Sequence, residues 1–273
     1  MINRRIGVDE IDIPTVLEFA DLIPVTRFQR AATLALPFVC TALYFFFAYS
    51  GWWIPAILSV MFLSFITYGS TSHDLVHGNL GLRRSTNNFF LSAIELLALR
   101  SGHAYRLAHL HHHARYPEPD DIEGAAAKMS FAGALLEGII YNPKLYFWSL
   151  KRARRDKLWI QFEGIACLLL IGSAILLCFY TPIFLIYAVL MIMGSWVLPL
   201  MTSYMPHDPA GKNPLFQTRL FRGKVASFVA LEHLYHLEHH LYPSIPHHNW
   251  VKLAKRLDPF FEKNGVRPIK FWF

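Results

Sequence analysis

Apolar positions along this chain gather into four long runs, separated by polar stretches of very unequal length. The runs cover residues 31–49, 52–72, 159–180 and 183–205 and carry almost no charge. A bilayer core ~30 Å thick takes about 20 helical residues to cross, so each run predicts a membrane-spanning helix. Only Ser50-Gly51 separates the first two runs, and only the turn at Tyr180-Thr181-Pro182 links the last two. The pattern therefore predicts an all-α membrane protein, with four transmembrane helices in two hairpins. Trp52 and Trp53 stand where interfacial aromatics belong. Pro37 predicts a kink that a membrane helix tolerates.

With both short turns on one side, the polar segments share the other. Those segments carry Arg27, Arg30, Lys151, Arg152, Arg154, Arg155 and Lys157, so the positive-inside rule makes their side cytoplasmic. This divides the chain into a cytoplasmic N-terminal segment, 1–30, a membrane domain, 31–250, and a cytoplasmic C-terminal tail, 251–273. Met1–Arg30 holds five acidic residues and no apolar core, unlike a cleavable signal. Asn88–Leu99 and Phe131–Leu150 are apolar but interrupted by Glu95, Glu137 and Lys144. They read as interfacial or re-entrant helices shielding a helical cap.

Composition agrees: 54% hydrophobic and only 16% charged residues, with mean hydropathy +0.31, make the chain more apolar than an ordinary soluble domain. The net charge of +7 flanks the apolar runs, which argues against a nucleic-acid partner. Cys40, Cys167 and Cys178 lie inside apolar runs without zinc-site spacing and read as buried packing residues.

The 14 histidines carry the chemistry. None falls well inside a run. His73 and His77 stand four apart, one helical turn on one face. His109 is followed by His111, His112 and His113, and a third cluster holds His233, His236, His239 and His240. His207 directly follows the fourth run. Imidazole suits iron, zinc and copper, and one tetrahedral zinc needs only about four ligands. Three compact clusters on one membrane face suit two metals better. Contiguous low-complexity tracts mark histidine metal buffers, unlike these dispersed clusters. A metal transporter or sensor would need ionisable ligands along the spans, where His, Asp and Lys are missing and Glu163 lies near an end.

His73–His77 resembles the HxxxH box of the membrane fatty-acid desaturase superfamily, and His109–His113 and His236–His240 resemble its two HxxHH boxes. Box order, gaps and hairpin topology are similar over about residues 30–250. The resemblance implies a di-iron centre held by His73, His77, His109, His112, His113, His236, His239 and His240. His207 occupies the place of a further ligand in related enzymes. His111 then supports neighbouring ligands rather than holding a metal, His233 fits either role, and His103, His247 and His248 are expected to be interfacial or solvated. Among Asp74, Asp120, Asp121, Glu232 and Glu238, the pair Asp120-Asp121 is the preferred support for ligating imidazoles, because an acidic pair follows this box in similar enzymes.

The implied activity is O2-dependent oxidation of a long-chain lipid, with a fatty-acyl desaturase ahead of a carotenoid hydroxylase or ketolase. No flavin, nicotinamide or haem motif is present. Electrons would then come from a separate ferredoxin, rubredoxin or cytochrome b5-like protein. The basic residues Arg152, Arg154, Arg155, Lys252, Lys255 and Arg256 are candidates to steer such a donor.

Overall fold

Each apolar run folds as a helix. The computed structural model describes residues 11–223 and 234–270. Helix α1, Arg27–Tyr49, begins at a reciprocal cap in which Gln29 N donates to Thr26 Oγ1 at 3.1 Å and Thr26 N donates to Gln29 Oε1 at 2.9 Å. Gly51, at φ 77°, turns the chain into α2, Trp53–His77. The polar middle folds as α3, Arg84–Leu97, α4, Gly102–Arg115, and α5, Phe131–Arg152. Two further spans follow, α6 (Lys157–Leu177) and α7 (Ile183–Tyr204). Beyond them lie α8, His236–Leu241, and α9, Trp250–Lys263. Two short strands, β1 (Phe221–Arg222) and β2 (Ile269–Lys270), pair in parallel. Helices α1, α2, α6 and α7 are each long and apolar enough to cross a bilayer.

The spans pack through a narrow seam that includes Tyr44, Leu63 and Met191, all fully buried. Their outward faces, with Phe46, Leu58 and Leu168, stay exposed as hydrocarbon contact requires. Helix α5 buries Ala134, Gly138, Tyr141, Leu145 and Ser149, one stripe at helical spacing. Leu135, Leu136, Ile139 and Ile140 point outward from it. Gly138 brings α5 against α7, because a Cβ there would lie 1.9 Å from the Trp196 carbonyl oxygen. Helix α5 is thus amphipathic in an apolar sense, with one face on the protein and the other available to lipid.

Helix α9 packs Trp250, Leu253, Leu257 and Phe261 onto Phe19 and Leu22 of a short 3-10 turn, Val16–Leu22. Arg256 reaches Asp21 with two bonds of 2.6 and 2.7 Å on the outer face of this layer. Chain segments from both ends therefore close over the same end of the spans. That end is marked by two local departures from α-helix. In α2 the backbone widens to a π turn over Thr67–Thr71, where Ser72 N donates to Thr67 O. In α7 it does so over Pro199–Tyr204, where Met205 N donates to Leu200 O. Such turns recur near functional sites, and here each runs straight into a histidine. Gly78, at φ 74°, stops α2 directly after His77, with Asn79 N donating to Asp74 O at 2.9 Å.

Candidate metal centre

Four chain segments deliver imidazoles to one place. The end of α2 brings His73 and His77, α4 brings His109, His112 and His113, the chain after α7 brings His207, and α8 brings His236, His239 and His240. They divide into two groups, each able to hold a metal ion: His73, His77, His109, His113 and His239, and separately His112, His207, His236 and His240. Within each group the ligand atoms lie within 4.8 Å of one another.

The division follows from helix geometry. His109 and His113 are i,i+4 neighbours on one face of α4, and His236 and His240 are the same on α8. The histidine at i+3 in each box, His112 or His239, lies about 100° around the helix from its neighbour and crosses to the other group. Each HxxHH segment thus serves both sites.

The donor atoms converge closely. In the first group, His239 Nε2 lies 2.7 Å from His113 Nε2 and 2.9 Å from His73 Nε2, with His109 and His113 Nε2 at 3.1 Å. In the second, His207 Nε2 lies 3.1, 3.2 and 3.3 Å from the Nε2 atoms of His112, His240 and His236. The far side of the rings shows what these contacts are. His207 Nδ1 is 3.0 Å from the Ser203 carbonyl oxygen, which only accepts, so Nδ1 carries the proton. His112 Nδ1 donates to Asp121 Oδ2 at 2.7 Å. With His112 in its neutral form, both Nε2 atoms present lone pairs to each other at 3.1 Å, an arrangement that repels unless a cation lies between them. His77 Nε2 is also buried without a hydrogen-bond partner among the described residues. The donor set fits two imidazole-rich metal sites.

Electrostatics point the same way. Burial, reinforced by neighbouring imidazoles, holds His109, His113, His207, His239 and His240 well below the usual histidine pKa. They are neutral and ready to ligate at neutral pH. His112 differs: burial lowers it, but the Asp121 hydrogen bond and the Glu123 and Asp121 charges outweigh burial and raise it.

Of the carboxylates nominated from sequence, Asp121 anchors His112, with its other oxygen taken by the backbone N–H groups of Glu123 and Gly124 at 3.1 and 3.0 Å. Gly124 is required there, since a Cβ would sit 2.2 Å from Asp121 Oδ2. Asp120 instead lies outside, paired with Arg115 and His111. Asp74 accepts from the backbone and Nδ1 of His247, at 3.2 and 2.7 Å, and ties the C-terminal layer to α2. Glu238 pairs with Arg222 at 2.6 Å. Its carboxyl is pushed up to about 7 by burial, which outweighs the Arg222 charge. His233 and Glu232 lie outside the described residues.

Sequence reasoning missed Glu123, which holds His109 Nδ1 at 3.0 and 3.1 Å and also accepts from Tyr68. Burial pushes Glu123 up to about 7 against the lowering pull of His112. Its signal was spacing, two residues beyond the acidic pair. Trp250 was also missed; its ring packs 5.4 Å from His73 and 5.3 Å from His239. The expectation for His103 is corrected. Rather than interfacial or solvated, it is fully buried, with Nδ1 2.6 Å from Glu163 Oε1 and its ring stacked on Trp159. Through Nδ1 this imidazole pairs with a carboxylate 60 residues away inside the apolar layer, while its Nε2 has no hydrogen-bond partner among the described residues. His248, half-buried, reaches Thr33 Oγ1 at 2.7 Å.

No individually curated protein matches this chain. A family model does, that of the fatty acid desaturases, over residues 50–272. This stretch includes all nine converging imidazoles and every span but the first. The chain therefore belongs to the fatty acid desaturase family, integral-membrane oxidoreductases that act on lipids.

Proposed function

We propose that this protein is a di-iron, O2-dependent fatty-acyl desaturase in which the nine imidazoles of the two groups are the iron ligands. One observation carries the reading: two sets of imidazoles converge their Nε2 atoms, while Nδ1 atoms are anchored on Asp121, Glu123 and the Ser203 carbonyl. Iron bound there would supply O2 activation and removal of hydrogen from an unactivated C–H bond.

The chain's own residues do the rest. Asp121 and Glu123 accept the Nδ1 protons of His112 and His109 and so fix which nitrogen faces inward. Trp250 covers the first group, and Tyr116, with its ring 4.5 Å from His207, covers the second. These rings keep water from the reacting carbon. A lipid would arrive from the bilayer side, between spans, and electrons from the aqueous side. We place that side, with both chain ends, in the cytoplasm. Arg152, Arg154, Arg155, Lys252 and Lys255 are exposed there and suit an acidic ferredoxin, rubredoxin or cytochrome b5-like donor.

Metal analysis of the purified protein tests the centre. About two irons per chain support it, whereas one zinc without iron would overturn it. Expression in a host that makes β-carotene, with analysis of fatty acids and pigments together, tests the substrate. A new acyl double bond supports the desaturase; an oxygenated pigment with unchanged fatty acids assigns the chain to the carotenoid hydroxylases or ketolases.

A further inference from the structure

A second feature lies apart from the histidines. A cavity of 410 Å³ opens between α4, α5 and α6, within the range of small-molecule sites (~300–1,000 Å³). No histidine lines it. Its mouth is formed by Phe147, Ile165 and Leu168, whose outward exposure of 59, 60 and 73% places it against lipid hydrocarbon. Its inner wall is Tyr68 stacked on Tyr105 at 4.4 Å, and Tyr105 in turn lies 5.4 Å from the His109 ring. One aromatic layer thus separates the cavity from the metal centre.

The polar content of this cavity is selective. Glu95 and Arg100 line it but close on each other at 2.9 and 3.2 Å, which leaves no unbalanced charge. Asn142 and Tyr146 also line it, one turn apart on α5, and neither side chain has a hydrogen-bond partner among the described residues. Tyr146 Oη rests over Gly164 of α6, where a Cβ would lie 2.2 Å from it, so the glycine makes room for the hydroxyl. An amide and a phenol without protein partners in a mostly apolar cavity favour a polar ligand atom beside them. Together they can both donate to and accept from one oxygen.

We propose that this cavity binds an uncharged, single-chain amphiphile from the bilayer, its terminal hydroxyl or carbonyl oxygen held by Asn142 and Tyr146 and its chain lying along the apolar mouth. The balanced Glu95–Arg100 pair disfavours an ionised headgroup. The site is distinct from the histidine chamber and does not depend on the metal.

The test uses the full chain in lipid nanodiscs with photoactivatable diazirine analogues of hexadecanol, hexadecane and palmitate, and maps the labelled peptides by mass spectrometry. The alcohol probe should label residues 142–147 and 164–168 saturably and be competed by unlabelled hexadecanol. Asn142→Leu combined with Tyr146→Phe should reduce that labelling about tenfold, the loss of one to two hydrogen bonds, with hexadecane labelling unchanged as the control for folding. Gly164→Ala, which displaces the Tyr146 hydroxyl, should act in the same direction. Stripping the metal with a chelator should leave labelling intact, which separates this site from the proposed iron centre. Non-saturable labelling along every lipid-facing helix, equal labelling by palmitate at pH 8, or undiminished labelling of the double variant would each overturn the proposal.

Discussion

The two imidazole groups lie side by side yet are built differently. The first takes five rings from α2, α4 and α8, and the second takes four from α4, α8 and the chain after α7. Trp250 covers the first and Tyr116 the second. Glu123 supports the first through a carboxyl that burial raises to about 7, while Asp121 supports the second through a short bond to a ring it makes more basic. On the proposed reading, the first group offers one imidazole more than the second, which leans on the Asp121 charge instead.

Removing ligands should expose this first. His207→Ala leaves three imidazoles in the second group, and His77→Ala leaves four in the first. We expect His207→Ala to lose about one of two irons and essentially all activity, and His77→Ala to retain more iron. Equal iron content in the two variants, read by metal analysis, would break the asymmetry. His112→Ala and His239→Ala, each removing the ring that its box lends to the other group, should abolish activity.

Removing the supports gives the next largest effect. Asp121→Asn should weaken metal retention about 10–100-fold, the usual penalty for losing such a partner. Glu123→Gln should weaken it less, because that carboxyl is already near the point of protonation at neutral pH. Chelator competition distinguishes the two, and a larger loss from Glu123→Gln would reverse the assignment.

The metal-free protein should show a pH signature. His109, His113 and His239 in the first group and His207 and His240 in the second are lowered by burial. Their unfolded forms bind protons first, so their contribution is complete above about pH 6.5 and is lost as pH falls below it. His112 is raised and has the opposite sign, favouring the fold below about pH 6.5 and losing that contribution as pH rises through its folded pKa. The thermal stability of metal-free protein should thus fall on acidification, and more steeply in Asp121→Asn. An acid-insensitive melting curve would contradict this. Smallest of all, Lys252→Glu with Lys255→Glu should slow reduction by an acidic donor a few-fold at low salt and little at high salt. Loss of the salt dependence in stopped-flow measurements is the sign to look for.

Much of this was legible in the sequence, for local reasons. The spans are runs of one character, and the boxes are i,i+3 and i,i+4 spacings that a helix turns into shared faces. What was not legible depends on tertiary partners. Asp74 sits between two candidate ligands and yet serves His247, 173 residues away. His103 finds Glu163 only once α4 packs on α6. Trp250 becomes a wall of the centre because α9 folds back over α8. Glu123 was within reach, since its distance from His109 is short in sequence, but nothing in composition separates it from a solvated loop carboxylate.

The π turn at Thr67–Thr71 carries a consequence that motif comparison would not reveal. A widened turn accommodates one residue more than a regular helix would, and each residue sets the direction of everything after it by about 100°. A substitution that let this turn tighten to ordinary helix, its length unchanged, would rotate His73 and His77 by about 100° away from their three partners. All nine histidines would survive in the text of such a gene, its boxes intact, while the protein lost its first site to a shift in register.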